Sequence, residues 1–472
     1  MPEQLINLIK GDKVVANVDY RDQVPVNMTP IIRPVIGADG YMLELPGLTQ
    51  YGEGDGIDRG AVWNDRFQAL FRVSGDSLVS VDENGASTVL GTTTFSLDNP
   101  HASMPYSFNS QAIVVDGKYF LYDPVNGARR ILDPEVGTPI DCVWIDGLFV
   151  FTDGDFLYHT DIDDEEAIDP LKYATSEYSP DKTKGVSLTT DNKLIAWNRY
   201  TTEYFVNTPN EFFAFTRIPS RNVQYGIVGT YCKTQIAGTW YFLGGSAESN
   251  VSVWELGVGT ATNISSRTID ALIAQYSEED LRFCTLETRT IDTYSYLIVR
   301  LPNETVMLNI TLGRAAGPGQ AWSVLQSGLN VGNIYRAVNG VFDPRRSQWV
   351  YGDYANANLC YLDESVATHY EELVECALFT PFIYLEPYSI DEIEIVSIPG
   401  FNIVDDASVF VSLTYDGVSY STEVPISYGA PGAYTNRFII RRLGAIQDWF
   451  ALKLRWVSTS RMAFASAKMK FS

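Results

Sequence analysis

The sequence has little cysteine, little histidine and little positive charge for a chain of 472 residues. Its five cysteines are far apart and none forms a Cys-x-x-Cys pair, which argues against a disulfide framework or a zinc ribbon. We therefore expect buried free thiols in a protein made in a reducing cytoplasm. The opening residues, MPEQLINLIK, are too polar for a signal peptide, and no apolar run approaches membrane-spanning length, so we expect no membrane partner.

Positive charge is scarce, because 34 lysines and arginines face 58 acidic residues, for a formal net charge of −24. A protein that grips nucleic-acid phosphates needs concentrated lysine and arginine, so this balance argues against specific binding of DNA or RNA. The simplest role for the excess acid is solubility and repulsion between copies. An acidic mimic of DNA is a poorer interpretation, since such a protein needs less core and no repeated units.

Catalytic and metal-binding signatures are missing as well. The three histidines, His101, His159 and His369, show no metal-ligand spacing, and no Gly-x-Ser-x-Gly nucleophile motif occurs. Residues 229–234 (GTYCKT) end in Lys-Thr but lack the glycine that a phosphate-binding loop needs before its lysine. We therefore predict no enzymatic activity, no catalytic residue, no cofactor and no metal site.

What the sequence does contain is a succession of short strands. Aromatic residues make up 13% of the chain, a composition that favours β-structure. Short apolar runs flank turn signals such as Asp116-Gly117, and Asp-Gly tolerates the positive φ angles of tight hairpins. Groups of three or four strands recur at intervals of about 40 to 50 residues, which is typical of propeller blades. These groups start near Gly60, Ser103, Asp141, Gly185, Gly226, Asp280 and Ile334.

We therefore predict an all-β fold, with a β-propeller of about seven blades over residues 51–370 and a C-terminal β-sandwich of jelly-roll type over residues 371–472. The boundary follows a change near Ser365 to alternating charged and apolar residues. Residues 1–50, which are rich in proline, predict an extended arm docked on the rest. One helix is expected where Ser265 and Ser266 precede Ile269 and Leu272 at helical spacing.

Several short segments, spread over essentially the whole chain, carry a family resemblance. They are residues 19–28 (DYRDQVPVNM), 45–47 (LPG), 229–234 (GTYCKT), 378–381 (LFTP) and 452–455 (LKLR). In these segments the chain resembles the tail hub, or packaged-DNA stabilisation, proteins of Salmonella-type short-tailed phages. None of the segments is a catalytic motif, so the resemblance assigns no active-site residue.

The resemblance implies a mechanical role in the virion tail, in a particle assembled in the bacterial cytoplasm. Members of that family look like propeller proteins with a C-terminal sandwich, assembled as a homo-oligomeric ring, here a hexamer, below the portal and its adaptor. The ring closes the head after packaging, retains the DNA, and connects to the tail needle and to tailspikes or fibres. DNA passes through such a ring without specific binding. The main alternative is a carbohydrate-binding or carbohydrate-cleaving tail propeller, which needs two isolated, desolvated acids.

Two groups of residues are candidates for roles in such a ring. One is an acidic loop, which we predict to face the channel because an acidic wall repels DNA, with an even acidic exterior as the alternative: Asp161, Asp163, Asp164, Glu165 and Glu166. The other comprises three arginine pairs, which we predict at subunit or partner contacts because guanidinium groups bind carboxylates in a forked geometry: Arg129, Arg130, Arg345, Arg346, Arg441 and Arg442. Ordinary surface solvation is the alternative for these pairs.

Overall fold

A computed structural model of the protein describes residues 3–8, 24–33, 39–162, 164–176, 178–208, 210, 212–317, 321–329, 333–384, 388–397, 407–433, 435–446 and 449–471. Within these ranges the chain forms 39 β-strands and three short α-helices, so the predicted all-β class is confirmed. Antiparallel pairing divides the strands of these ranges into seven sheets that are the blades of a propeller and two sheets that form a sandwich.

The first strands and the first three blades follow one another along the chain. The opening strands are β1 (Glu3–Asn7), β2 (Met28–Ile31), β3 (Tyr41–Glu44) and β4 (Gly47–Glu53). Blade 1 contains β5 (Asp58–Asn64), β6 (Ala69–Ser74), β7 (Ser77–Val81) and β8 (Ser87–Val89). Blade 2 contains β9 (Gln111–Val115), β10 (Lys118–Asp123) and β11 (Gly127–Arg130), with an inner segment bridged to β9 at Ser103 and Tyr106. Blade 3 contains β12 (Asp141–Ile145), β13 (Leu148–Thr152), β14 (Leu157–Asp161) and β15 (Asp164–Ala174).

The remaining blades continue in the same order. Blade 4 contains β16 (Thr183–Leu188), β17 (Leu194–Asn198), β18 (Thr202–Asn207) and β19 (Phe215–Arg217). Blade 5 contains β20 (Gly226–Ile227), β21 (Lys233–Ile236), β22 (Thr239–Gly245), β23 (Ser252–Leu256) and β24 (Ala261–Asn263), and is followed by α1 (Arg267–Ile273) and α2 (Glu278–Leu281). Blade 6 contains β25 (Thr285–Ile291), β26 (Tyr294–Arg300), β27 (Thr305–Asn309), α3 (Ile310–Ala316) and β28 (Trp322–Leu325). Blade 7 contains β29 (Ala337–Asp343), β30 (Gln348–Asp353) and β31 (Asn358–Asp363).

Local signals explain why these segments fold as hairpins. Asp116 and Gly117 adopt φ angles of 52° and 68° between β9 and β10, as the Asp-Gly turn requires. The predicted helix is also confirmed, since the Ser266 hydroxyl accepts a hydrogen bond from the backbone amide of Ile269 at the start of α1. Turn chemistry within a few residues therefore sets the strand groups that the spacing predicts.

The middle strands of the blades are buried on both faces. Every residue of β9, β13 and β17 is buried, because each blade stacks its two faces on its neighbours. A single four-stranded sheet would expose both of those faces to water, so each blade depends on its neighbours for burial.

Closure of the ring is made by a strand from the start of the chain. β4 pairs with β31, so that the last blade has the order β29-β30-β31-β4. The two ends of the propeller are thereby joined within one sheet, and unfolding either end removes a strand from blade 7.

Arginine side chains seal the seam between blades 7 and 1. Arg72 of β6 is fully buried, donates to Asp58 at 2.7 Å, and reaches the carbonyl oxygen of Val350 in blade 7 at 3.2 Å. Arg345 of blade 7 donates to the carbonyl oxygen of Val81 in blade 1 at 3.0 Å. The seam therefore depends on a buried ion pair and on hydrogen bonds that cross it.

The second domain is a sandwich of two sheets that includes strands from both ends of the chain. Its C-terminal strands are β32 (Glu375–Phe379), β33 (Ile383–Tyr384), β34 (Tyr388–Ser397), β35 (Ala407–Thr414), β36 (Val424–Gly429), β37 (Phe438–Ile446), β38 (Trp449–Val457) and β39 (Ala463–Phe471). One sheet has the order β2-β3-β39-β34-β37, with β1 also paired to β39, and the other has the order β32-β38-β35-β36, with β33 on β38. The opening residues thus supply β1, β2 and β3 to the sandwich and β4 to the propeller. The predicted domain boundaries at residues 50 and 370 stay predictions.

A segment before β2 is wedged between the two domains. Val26 bridges Val324 of blade 6 and Ala377 of the sandwich. The Asn27 amide donates to the backbone carbonyl oxygens of Gln326 at 3.1 Å and Glu375 at 3.0 Å. Backbone and side-chain hydrogen bonds of one short segment therefore hold the propeller and the sandwich together.

The seam generates a stability prediction. Arg72→Met should lower the free energy of unfolding by about 3 to 5 kcal/mol, because it leaves the Asp58 carboxylate buried without its counter-charge. The matched control is Arg129→Met, which removes a partly exposed arginine that pairs with Asp123 and should cost below about 1 kcal/mol. Chemical denaturation of both variants measures the difference, and equal losses would show that the Arg72 pair does not support the seam.

Candidate functional site

A buried charged cluster joins several blades and is centred on Asp141, the first residue of β12. Its carboxylate accepts hydrogen bonds from the Ser103 hydroxyl of blade 2 at 2.6 Å and from the backbone amide of Val186 of blade 4 at 2.9 Å. The ammonium group of Lys233 in blade 5 lies 2.7 Å from the same carboxylate. One buried side chain thus binds groups of three neighbouring blades.

Gly185 makes room for this cluster. A Cβ atom at that position would lie 2.8 Å from both the Asp141 carboxylate and the Lys233 ammonium group. Lys233 also donates to the carbonyl oxygen of Thr230 at 2.6 Å, so the lysine of the GTYCKT segment is held by its own loop. The segment that only superficially resembles a phosphate-binding loop therefore supplies the cation of an internal ion pair.

A cavity of about 620 Å³ lies between blades 6, 7, 1 and 2. Two charged groups of its wall already have partners: Glu287 accepts from the backbone amides of Asn339 and Gly340, and Arg300 donates to the carbonyl oxygen of Tyr335 at 2.8 Å. Burial lowers the pKa of His101, which also lines the cavity, to about 4. The charged groups of this wall are therefore bound within the propeller itself.

The acidic loop lies at the outer edge of blade 3, between β14 and β15. Asp164 and Glu166 are exposed there, and Asp163 lies outside the described residues. The loop is not free of cations, because Lys172 binds Asp161 and the guanidinium of Arg129 in blade 2 binds Glu166. The loop is far from the axis of its own propeller, so its predicted place in a channel concerns a channel between copies and stays a prediction.

Most of the predicted interface arginines whose side chains are described have partners within their own chain. Arg345 forms a forked pair with Asp343, at 3.0 and 2.8 Å, and Arg346 lies 4.5 Å from the ring centre of Tyr51. Arg441, on the edge strand β37, donates to Glu392 at 3.2 Å.

Two of the six predicted interface arginines remain. Arg130 is exposed at the end of β11, and the side chain of Arg442 lies outside the described residues. A role for these arginines at subunit or partner contacts stays a prediction.

Sequence reasoning missed Glu44, a buried carboxyl group where β3 leaves the sandwich for the propeller. Glu44 is 2% exposed and accepts hydrogen bonds from the indole of Trp456 at 2.9 Å and the backbone amide of Met462 at 3.0 Å. Arg461 binds the backbone carbonyl oxygen of Glu44 and, at 3.2 Å, that of Glu364, so it clamps both chain crossings between the domains. Burial raises the pKa of Glu44 to about 7, although the hydrogen bonds to its carboxylate lower the pKa and so oppose this shift. The only local signal for such a residue is one acid in an otherwise apolar strand.

The raised pKa of Glu44 predicts how stability depends on pH. The unfolded chain releases this proton near pH 4.5 and the folded chain near pH 7, so the stabilising contribution is full below pH 4.5 and is lost as the pH rises to 7. Relative to Glu44→Gln, which has no proton to release, the wild type should lose about 3 kcal/mol between pH 4.5 and pH 8. Melting temperatures of both proteins across this range measure the change.

The control for that measurement is Glu364→Gln, which neutralises an exposed carboxylate at the same junction. Its stability relative to the wild type should stay nearly constant over the same pH range. A constant difference between the wild type and Glu44→Gln would contradict the assignment of a titrating carboxyl group to the junction.

Several general properties of the structure bear on function. The five cysteines are buried free thiols, as expected from their spacing. In the described part of the chain, no group of three or more histidine, cysteine, aspartate or glutamate side chains is arranged to hold a metal ion. No helix among the described residues is long and apolar enough to cross a membrane.

Comparison with known proteins gives matches over both domains. One family model, described as Bacteriophage P22 Gp10, beta-propeller, matches residues 4–367, and another, described as Bacteriophage P22 Gp10, beta-sandwich, matches residues 375–472. The tail hub protein gp10 of Salmonella phage P22 is 28% identical over 488 residues, an alignment that covers 100% of both chains. Both the propeller and the sandwich predicted from the sequence are confirmed by these models.

Likeness to solved structures is more distant. Virginiamycin B lyase from Staphylococcus aureus matches with a TM-score of 0.43 and 12% identity, over 67% of this chain and 98% of the lyase. The N-terminal domain of Nup159 matches with a TM-score of 0.39 and 9% identity, over 68% of this chain and 95% of that domain. TM-scores of this size carry no argument about function, so the family assignment rests on the family models and on the phage relative.

Proposed function

The chain belongs to the bacteriophage P22 Gp10 family, and we propose that it closes the filled phage head as a ring of copies below the portal and its adaptor. As a member of this family it is a structural protein of the phage tail and not an enzyme. In the proposed ring, a hexamer, it retains the packaged DNA and connects the head to the tail needle and to tailspikes or fibres.

One observation supports the ring proposal: the Asp141–Lys233 pair and its partners tie blades 2 to 5 together within the subunit. In the proposed ring, the conduit for DNA lies between several such subunits. Head-to-tail contacts between identical chains close into a ring when the rotation between them closes. A rigid two-domain subunit, with a wedge segment and the Glu44 junction between its domains, supports such an assembly because it presents its surfaces in fixed positions.

The first test removes the protein from the particle. Phage that lack it should package DNA and then lose it, because the portal is left unplugged. Nuclease treatment of purified particles, followed by measurement of the protected DNA, checks this outcome. Particles that retain protected DNA and infect normally without the protein would refute the proposed role.

We further propose that the acidic loop of blade 3 faces the conduit and keeps DNA from adhering to it. Repulsion between an acidic wall and phosphates acts over about 8 Å at physiological salt. A basic wall would instead gain affinity with every phosphate contact and would slow the exit of DNA. The exposed position of Asp164 supports this role, since its charge is available to the surroundings.

The loop is tested by reversing its charge without breaking the Arg129–Glu166 pair. Phage that carry Asp164→Lys with Glu165→Lys should eject DNA more slowly than wild type at low salt, and the difference should shrink as salt is added. The control carries Glu83→Lys with Glu248→Lys, the same charge change at exposed positions of blades 1 and 5. Equal ejection rates for the loop variant and wild type at low salt would show that the loop does not line the conduit.

A further inference from the structure

Some exposed aromatic rings of the chain are covered by its own cations. Arg66 lies 4.0 Å from the ring centre of Phe108, which is 57% exposed, and Arg282 lies 4.4 Å from that of Phe283. A cation over an aromatic face is favourable because the face of the ring carries partial negative charge. An exposed aromatic site that lies beside acidic groups and has no cation of the chain over it can therefore accept a cation from another molecule.

Such a site is a cleft of about 210 Å³ at the outer edge of blade 3, called here the blade 3 cleft. Its walls include Glu135, Asp153, Phe156, Ile168, Asp169 and Tyr173. Phe156 is 40% exposed and Tyr173 is 52% exposed, and their ring centres lie 5.3 Å apart in an edge-to-face arrangement. Among the described residues no cation lies over either ring. Two aromatic surfaces of the cleft are thus open to an incoming group.

The rim of the blade 3 cleft is acidic. The carboxylates of Glu135, Asp153 and Asp169 line it, and in the described part of the chain no lysine or arginine does. The nearby Lys172 is bound to Asp161 and lies 3.9 Å from Asp169. One local cation is therefore shared between two acids, and the cleft keeps an excess of negative charge.

The cleft is also held open by its own framework. Asp153 accepts hydrogen bonds from the backbone amides of Asp155 and Phe156, at 2.9 and 2.7 Å, which fixes the turn that carries Phe156. The Tyr158 hydroxyl donates to the carbonyl oxygen of Val136 at 2.7 Å at the base of the cleft. A preformed site loses little conformational entropy when it binds a ligand.

We propose that the blade 3 cleft docks an arginine or lysine side chain of a basic partner polypeptide. The aliphatic stem of such a side chain lies against Phe156 and Tyr173, and its charged head reaches the carboxylates of the rim. The acidic rim favours a polypeptide with an excess of positive charge over a further copy of this chain, whose net charge is −24. The inference does not depend on the proposed function, since it rests on the aromatic rings and carboxylates of the cleft itself.

A hexa-arginine peptide titrated into the whole protein tests the proposal. Tyr173→Ala should weaken binding about tenfold, because it removes one of the two aromatic surfaces, whereas Tyr173→Phe should bind as wild type does. The matched control is Phe108→Ala, which removes an exposed ring that Arg66 already covers and should leave binding unchanged. Melting temperatures confirm that each variant is folded.

The result also separates a docking site from general attraction to an acidic surface. Peptide that binds wild type and Tyr173→Ala equally well, or binds neither at low salt, overturns the proposal. Loss of binding in Tyr173→Ala alone supports it, and a further loss in Asp169→Asn would show that the rim contributes. Neither outcome bears on DNA retention, so the docking site and the role in the phage tail can fail separately.

Discussion

The propeller depends most on the buried carboxylate of Asp141, which joins the inner strands of neighbouring blades. In the absence of its partners this charge would be strongly destabilising, since burial of an uncompensated carboxylate costs several kcal/mol. The Lys233 ammonium group, a hydroxyl and two backbone amides stabilise it. The blades must therefore meet at one fixed geometry.

Much of the fold is predictable because its signals are local. Turn pairs such as Asp116-Gly117 and the serine cap of α1 act within a few residues, and their spacing predicts the order of the blades. Closure of the ring is different, because β4 pairs with β31 across nearly the whole propeller. No local pattern in residues 47–53 distinguishes a blade strand from the end of an arm. The same reasoning applies to β2 and β3, whose place in the sandwich is decided by strands near the other end of the chain.

The candidate sites differ in the same way, since some have a local signal in the sequence and others depend on contacts between distant residues. A run of acids between two strands is visible in the sequence, so the loop at residues 161–166 can be predicted. Its partner Arg129 belongs to another blade, and the sequence alone places that arginine at a different surface. Lys233 was judged only against a phosphate-binding motif, since the acid that binds it is 92 residues away. Glu44 has only a weak local signal, one acid in an apolar strand, because its importance follows from burial between two domains. Sequence reasoning therefore found clusters of like residues and missed pairs of unlike ones.

The distribution of charge follows from these pairs. Arg72, Arg289 and Arg300 are almost fully buried, so part of a small supply of cations is used inside the molecule. The excess of acid consequently lies at the surface, where copies of the chain repel each other over about a Debye length. A ring of such chains needs contacts that outweigh this repulsion, either apolar surfaces between subunits or basic partners bound at their edges. Internal use of arginine thus stabilises the subunit and at the same time leaves an acidic surface that opposes uncontrolled association between copies.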